Sequence, residues 1–162
     1  MKQIGVAILG FGTVGAGVAD GLLKHREVMS KRLGVDIVLR KIADLDITTD
    51  RGISVPKEVL TTDAAAAIAD ADVQIVVETI GGTGIAKKFV LDALNAKKCV
   101  VTANKKLLAE CGREIFDTAR ANGVDIYFGA SVGGGIPIIR VLREGLAGND
   151  IESIHGILNG TK

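Results

Sequence analysis

The segment Gly10-Phe11-Gly12-Thr13-Val14-Gly15 constrains this chain more than any other. It has the spacing G-x-G-x-x-G and follows an apolar run at residues 3–9. It opens a stretch in which Val14, Val18, Leu22 and Leu23 recur at helical spacing. Strand, glycine turn and helix form the context in which this spacing carries chemistry. The first glycine permits a tight turn, the second lets backbone approach a pyrophosphate, and the third lets helix and strand pack closely. The helix start adds unpaired N–H donors and a positive dipole end that favour an anion. A plain glycine-rich turn is the competing reading, and the flanking strand and helix argue for dinucleotide binding over it.

The alternation continues along the chain. After the first helix, over 13–29, residues 35–43 read as a second strand. Residues 44–62 are polar and irregular, with Gly52 and Pro56 as breakers. Asp63 can cap a short helix over 64–69. A strand follows at 73–78, then a turn at Gly81-Gly82-Thr83-Gly84, a helix over 85–95 and a strand at 98–102. Asn104 caps a helix running to about residue 121, and Gly123 sits just beyond its end. Residues 124–128 make a fifth strand, a helix opens at Pro137 after Gly133-Gly134-Gly135, and 151–158 read as a last strand. Aromatic residues are 3 % of the chain, so the core must be Val, Ile, Leu and Ala, as in parallel strands covered on both faces. The expected fold is α/β, a doubly wound, mainly parallel sheet of Rossmann type, forming one domain over 1–162.

Composition narrows the function classes. Twenty basic side chains stand against 19 acidic ones, so the basic surplus of a nucleic-acid binder is missing. No apolar run reaches the length of about 18 residues that a membrane span needs. Two cysteines cannot build a disulfide framework, and the glycine-broken start does not read as a secretory leader, so the expected compartment is the cytoplasm.

Several residues have the chemistry for a site. Asp44 follows the second strand, where an acid would accept the ribose hydroxyls and repel a 2′-phosphate. Its distance from Gly15 exceeds the usual interval of about 20 residues, and a first helix lengthened by the polar stretch His25–Gly34 accounts for that. A solvated turn residue is the equal alternative. Thr79 lies just past the third strand, within reach of a nicotinamide ribose, although a glycine turn leading to a helix explains it as well. Thr102-Ala103-Asn104-Lys105-Lys106 puts two lysines at a helix start, against the dipole, which invites an anionic or carbonyl partner. His25, His155, Cys99 and Cys111 lack partners at metal or triad spacing. Lys87-Lys88 and Lys97-Lys98 read as solvated ends of elements.

Three further segments resemble one family. Val100-Val101-Thr102-Ala103-Asn104-Lys105, the run Ser131–Ile139 and Gly156-Ile157-Leu158-Asn159-Gly160-Thr161 are, together with the first turn, similar to homoserine dehydrogenase. The resemblance implies reversible NAD(P)-dependent hydride transfer between L-homoserine and L-aspartate 4-semialdehyde, a step of threonine and methionine biosynthesis. It implies a cofactor held by Gly10, Phe11, Gly12, Thr13, Val14, Gly15, Asp44, Thr79, Asn104 and Lys105, with Lys105 as a catalytic residue near the reacting carbon. It also implies a monovalent cation, Na+, on the main-chain carbonyls of Gly129, Val132, Gly134 and Ile136, where a plain glycine turn is the alternative. Gly129 stands where the family often has Glu. Ala43 stands where it often has an Arg that would grip a 2′-phosphate. This favours NAD over NADP, with Lys41 or Arg51 placed to compensate.

The resemblance implies a downstream substrate and dimerisation domain that holds the main acid–base residues, so this chain is expected to be the cofactor domain or a fragment of a longer product. The resemblance therefore implies a homodimer for the full-length protein. The chain alone is expected to bind cofactor with negligible turnover, and to leave Ile138–Leu146 and Ile151–Leu158 without cover. Two other functions compete: another amino-acid dehydrogenase with the same domain, against which Gly156–Thr161 argues, and a non-catalytic NAD(H)-binding redox-sensing module.

Overall fold

The computed structural model describes residues 1–156. Its centre is β1 (Gln3–Leu9), whose successive side chains are buried on opposite faces: Val6 and Ile8 on one, Ala7 and Leu9 on the other. Five more strands pair with it in parallel: β2 (Asp36–Ala43), β3 (Leu60–Thr61), β4 (Ile75–Glu78), β5 (Cys99–Thr102) and β6 (Ile126–Tyr127). Their order is β3-β2-β1-β4-β5-β6, the doubly wound order in which the chain reverses direction across the sheet between β1 and β4. The registers Leu9 to Ala43, Leu9 to Glu78 and Glu78 to Thr102 align four strand ends in one row.

One face carries α1 (Thr13–Leu33), with Phe11, Ala16 and Ala19 against Val6, Ile8, Ile42 and Val77. The other carries α2 (Ala64–Ala69), α3 (Ile85–Asn95) and α4 (Lys105–Asn122), whose Ala67, Val90, Leu94, Leu107 and Ile115 pack over Leu9, Val76 and Val100. The doubly wound reading is thereby met. As the sequence suggested, α1 is long, running to Leu33 before Gly34 closes it in the left-handed region at φ 70°. Asp63 and Asn104 cap α2 and α4, each accepting a backbone N–H of its own first turn.

Several expectations need correction. Residues 44–62 are not wholly irregular, since β3 and a single 3-10 turn at Lys57–Val59 lie within them. Of the expected stripe Val18 and Leu22 pack against the sheet, but Val14 and Leu23 are exposed, and the fully buried face of α1 is Gly15, Ala16 and Ala19. Small residues are needed at the first turns, where helix and strand approach closely. The fifth strand shrinks to Ile126–Tyr127. The helix after Pro137 is one short turn, α5 (Ile138–Arg140), running into a wider turn over Val141–Gly145. Residues 151–156 form no strand, and 157–158 of the last expected strand lie outside the described residues. Val141, Leu146, Ile151 and Ile154 are exposed, as expected of an uncovered surface.

Lys98 is not a solvated end. It is buried, and its ammonium donates to the carbonyls of Asp70 and Val73, which close the turn between α2 and β4. Its neighbour Lys97 occupies a left-handed position, φ 59°, at the end of α3. Lys97 N–H donates to Leu94 and Lys98 N–H to Ala93, the paired bonds of a helix end that glycine suits best. Lys97→Gly should therefore raise stability by about 0.5–1 kcal/mol, after the extra freedom of an unfolded glycine is subtracted. Thermal melts of the two chains check this. An unchanged or lower midpoint would mean the left-handed turn costs lysine nothing here.

Candidate functional site

The row of strand ends fixes where the site residues lie. Gly10 leaves β1 at φ 98° and donates its N–H to the Ala43 carbonyl. A Cβ on Gly10 would lie 2.9 Å from the Thr79 carbonyl carbon, and one on Gly15 would lie 1.9 Å from the Gly10 oxygen. Both glycines are thus required by contacts inside the chain. Gly12 differs: a Cβ there would meet nothing within 4 Å, so its open side faces space that a ligand can enter. Gly12 also starts α1 without a side-chain cap and with no acid in the first turn. The helix start keeps its N–H donors and dipole for an anion.

Two cavities flank this turn. The larger, about 660 Å³, lies over the ends of β1 and β2 and is lined by Gly12, Asp44, Thr62, Ile80, Ile85 and Phe89 among others. The smaller, about 300 Å³, is lined by Val14, Gly81, Ala103, Asn104, Lys105 and Lys106. Thr79 lines both. Its hydroxyl donates toward the Leu9 and Gly10 carbonyls, at 3.1 and 2.9 Å, so it clamps the glycine turn to β4.

The remaining expected residues divide by what they already hold. Asp44 lies in the larger cavity, but one oxygen accepts the Phe11 N–H and the other the Asp46 N–H, at 2.9 Å for the latter. Phe11 itself is buried in the core beside α1, so only its main chain faces the turn. Thr13 and Val14 are exposed at the helix start. Asn104 spends its amide on the fold, accepting from Leu107 and donating to the Gly82 carbonyl. Lys106 approaches Glu110 at 3.8 Å, whereas Lys105 makes no ion pair with any described residue and lines the smaller cavity.

Neither basic residue expected to grip a 2′-phosphate is idle. Lys41 donates to the Glu58 carbonyl, and Arg51 pairs with Asp46 at 3.0 Å. The Thr49 side chain and the N–H groups of Thr49 and Thr48 hold the Asp46 carboxyl well below the usual carboxylate range, so it stays charged beside Arg51.

The 129–136 loop starts with a tight turn at Gly129–Ser131, where the Ser131 hydroxyl donates to the Thr102 carbonyl at 2.8 Å. The Gly129 and Ile136 carbonyls each accept one backbone N–H, from Val132 and Ile138. Among the described residues no group of three or more His, Cys, Asp or Glu side chains could hold a metal ion, so any cation here would rely on carbonyls.

Sequence reasoning missed Glu78. It is fully buried in the row of strand ends and bonded to Thr102. The available signal was a carboxylate closing the apolar run Ile75-Val76-Val77.

The sequence profile described as homoserine dehydrogenase, NAD binding domain, matches residues 10–129. This chain belongs to the homoserine dehydrogenase family. The homoserine dehydrogenase of Bacillus subtilis is 47 % identical over 161 residues, which are 99 % of this chain and 37 % of that protein. A homoserine dehydrogenase crystal structure from Thiobacillus denitrificans superposes with TM-score 0.85 at 42 % identity, covering 92 % of this chain and 34 % of that one. A hyperthermophilic archaeal homoserine dehydrogenase in complex with NADPH gives TM-score 0.71 at 26 % identity, covering 90 % of this chain and 50 % of that one. The chain thus spans little more than a third of the curated homoserine dehydrogenase it matches, and corresponds to the NAD-binding part. These relatives favour homoserine dehydrogenase over a different amino-acid dehydrogenase or a sensing module. Among the described residues no helix is long and apolar enough to cross a membrane.

Proposed function

We propose that this chain is the cofactor-binding unit of an enzyme interconverting L-homoserine and L-aspartate 4-semialdehyde with NAD as the preferred cofactor. The observation that carries the reading is the pair of cavities meeting at Thr79, with open Gly12 and the uncapped α1 start beside them. The adenosine half takes the larger cavity, the pyrophosphate the helix start, and the nicotinamide half the smaller cavity. When bound, the nicotinamide supplies or accepts the hydride. Lys105 presents its ammonium to the substrate oxygen, on which negative charge grows as the aldehyde is reduced. The proton that completes the alcohol comes from the rest of the enzyme. On the same likeness we propose a homodimer in the cytoplasm for the whole protein.

Two arrangements support NAD over NADP. Asp44 puts a carboxylate where a 2′-phosphate would sit, and each of its oxygens keeps a lone pair for a ribose hydroxyl. Lys41 and Arg51 are held elsewhere. The same reading adds a monovalent cation in the 129–136 loop. The Val132 and Gly134 carbonyls are not used by any described backbone bond, and those of Gly129 and Ile136 keep a second lone pair.

Calorimetric titration with NAD+ and NADP+ tests the assignment. NAD+ should bind more tightly, and Asp44→Asn should shift the ratio toward NADP+ by about tenfold. Asparagine removes the charge yet keeps an acceptor for the Phe11 N–H, which Asp44→Ala does not. Equal or tighter NADP+ binding by the unaltered chain would overturn the NAD assignment, and no binding of either would overturn the cofactor reading.

A further inference from the structure

Among the described carboxylates only Glu78 is fully buried. An acid in that position needs hydrogen bonds to both of its oxygens, and it has them. One oxygen accepts the N–H groups of Ile80 and Gly81 at 2.9 and 3.0 Å, and the other accepts the Thr102 hydroxyl at 2.6 Å. The Thr102 oxygen in turn accepts the Asn104 N–H at 3.0 Å. Asn104 accepts from Leu107 to cap α4, and its amide donates back to the Gly82 carbonyl at 2.7 Å. The bonds close a ring: Glu78, the 80–82 turn, Asn104, Thr102 and Glu78 again.

The ring lies beneath the smaller cavity. Gly81, Asn104 and Lys105 line that cavity, while of the ring and its turn only Ile80 lines the larger one. Gly81 and Gly82 both sit in the left-handed region, at φ 83° and 71°, and a Cβ on either would touch nothing. Side-chain packing therefore does not fix this turn at those two positions. Its N–H groups and its last carbonyl are held by Glu78 and Asn104. The same ring fixes the start of α4, and so the point from which Lys105 extends.

We infer that Glu78 is a positioning residue chiefly for the nicotinamide half of the site: through Thr102 and Asn104 it sets the 80–82 turn and the base of Lys105, and it reaches the adenosine half only through the Ile80 N–H. This inference rests on the cofactor reading above. A carboxylate serving the fold alone would support both halves equally, so the two roles separate on which half of the ligand loses affinity.

The experiment titrates this chain with NADH and with ADP-ribose, which lacks the nicotinamide, following NADH fluorescence and calorimetric heat. The variants are Glu78→Ala, Glu78→Gln and Thr102→Val. The unaltered chain should bind NADH more tightly than ADP-ribose. Glu78→Ala should lose about tenfold or more for NADH while ADP-ribose stays within about threefold. Glu78→Gln keeps one acceptor for the turn, and the Thr102 hydroxyl can rotate to accept from its amide, so most of the NADH affinity should return. Thr102→Val breaks the ring without removing the acid. It should show the same split at about fivefold, and it carries the test if Glu78→Ala does not fold. Equal losses for both ligands, no loss for either, or an unaltered chain that binds NADH no better than ADP-ribose would overturn the positioning role. Failure of the unaltered chain to bind either ligand would instead remove the cofactor reading on which it stands.

Discussion

Gly12→Ala and Gly15→Ala should fail in opposite ways, although both add one methyl group to the same turn. At Gly12 the backbone, φ −72° and ψ −164°, suits alanine, and the new Cβ meets no atom of the chain. The cost to folding is that of a poorer helix cap, about 0.5–1 kcal/mol, which lowers the melting midpoint by about 3 °C. The methyl instead occupies the space through which the pyrophosphate approaches the α1 N–H groups, so NAD+ affinity should fall by about tenfold or more. At Gly15 the Cβ would lie 1.9 Å from the Gly10 carbonyl oxygen and 2.9 Å from the Thr79 hydroxyl. Overpacking against backbone costs roughly 3 kcal/mol, and alanine's better helix propensity offsets about 1 of these. The midpoint should then drop by about 4–8 °C, with binding lost because the turn itself has moved. Scanning calorimetry and titration of both variants would decide. A Gly12→Ala chain that binds NAD+ as before would place the ligand elsewhere.

Lys98→Ala should be the more costly of two substitutions at that buried lysine. The Asp70 carbonyl also accepts the Val73 N–H at 3.1 Å, so the acceptor left without a described partner is the Val73 carbonyl. An orphaned acceptor costs about 1–3 kcal/mol, and the lost stem adds a cavity, for a total of about 3 kcal/mol. Lys98→Met keeps the stem and removes the burial of a charge, so about 1 kcal/mol remains. The pH dependence has a definite sign. Burial pushes the Lys98 ammonium below the usual 10.5, partly opposed by the charge of Asp70. Between its folded value and 10.5 the unfolded chain holds a proton that the folded chain has released. Folded stability from this group therefore rises with pH across that window, and is lost as pH falls through the folded value. Urea unfolding at pH 8 and pH 10 should show the unaltered chain gaining on Lys98→Met. Parallel slopes would mean that Lys98 titrates as an ordinary surface lysine.

The parts of the fold that could be read from sequence were those set by local rules. The continuous burial of β1, the glycine spacing, the caps at Asp63 and Asn104 and the closing glycine at 123 each follow from a few adjacent residues. What escaped was tertiary. Lys97-Lys98 reads as a charged surface pair until β5 is seen to start beside the carbonyls that end α2. The two-residue β3 exists only because Ile42 and Ala43 offer it an edge. Glu78 becomes intelligible only through the register that sets it opposite Thr102, which no spacing along the chain encodes. Around the candidate site, the glycine turn at the end of β1 and the position of Lys105 at the start of α4 were legible. The commitments of Phe11, Thr79 and Asn104 to the chain itself were not, because a motif names positions without saying whether main chain or side chain faces the ligand.

The central position of β1 also bears on the order of events during synthesis. Its partners on the β4 side lie about seventy residues downstream, as the Thr79 hydroxyl reaching the Leu9 carbonyl across a separation of 70 shows. At about 5–20 residues per second a ribosome needs several seconds to deliver them. For the later part of that interval, once residue 43 has been made, the apolar run Val6-Ala7-Ile8-Leu9 can have β2 on one side and an open edge on the other. Until β4 arrives, β1 therefore presents the kind of bare strand edge that can pair with another chain, well before there is a cofactor site to fill.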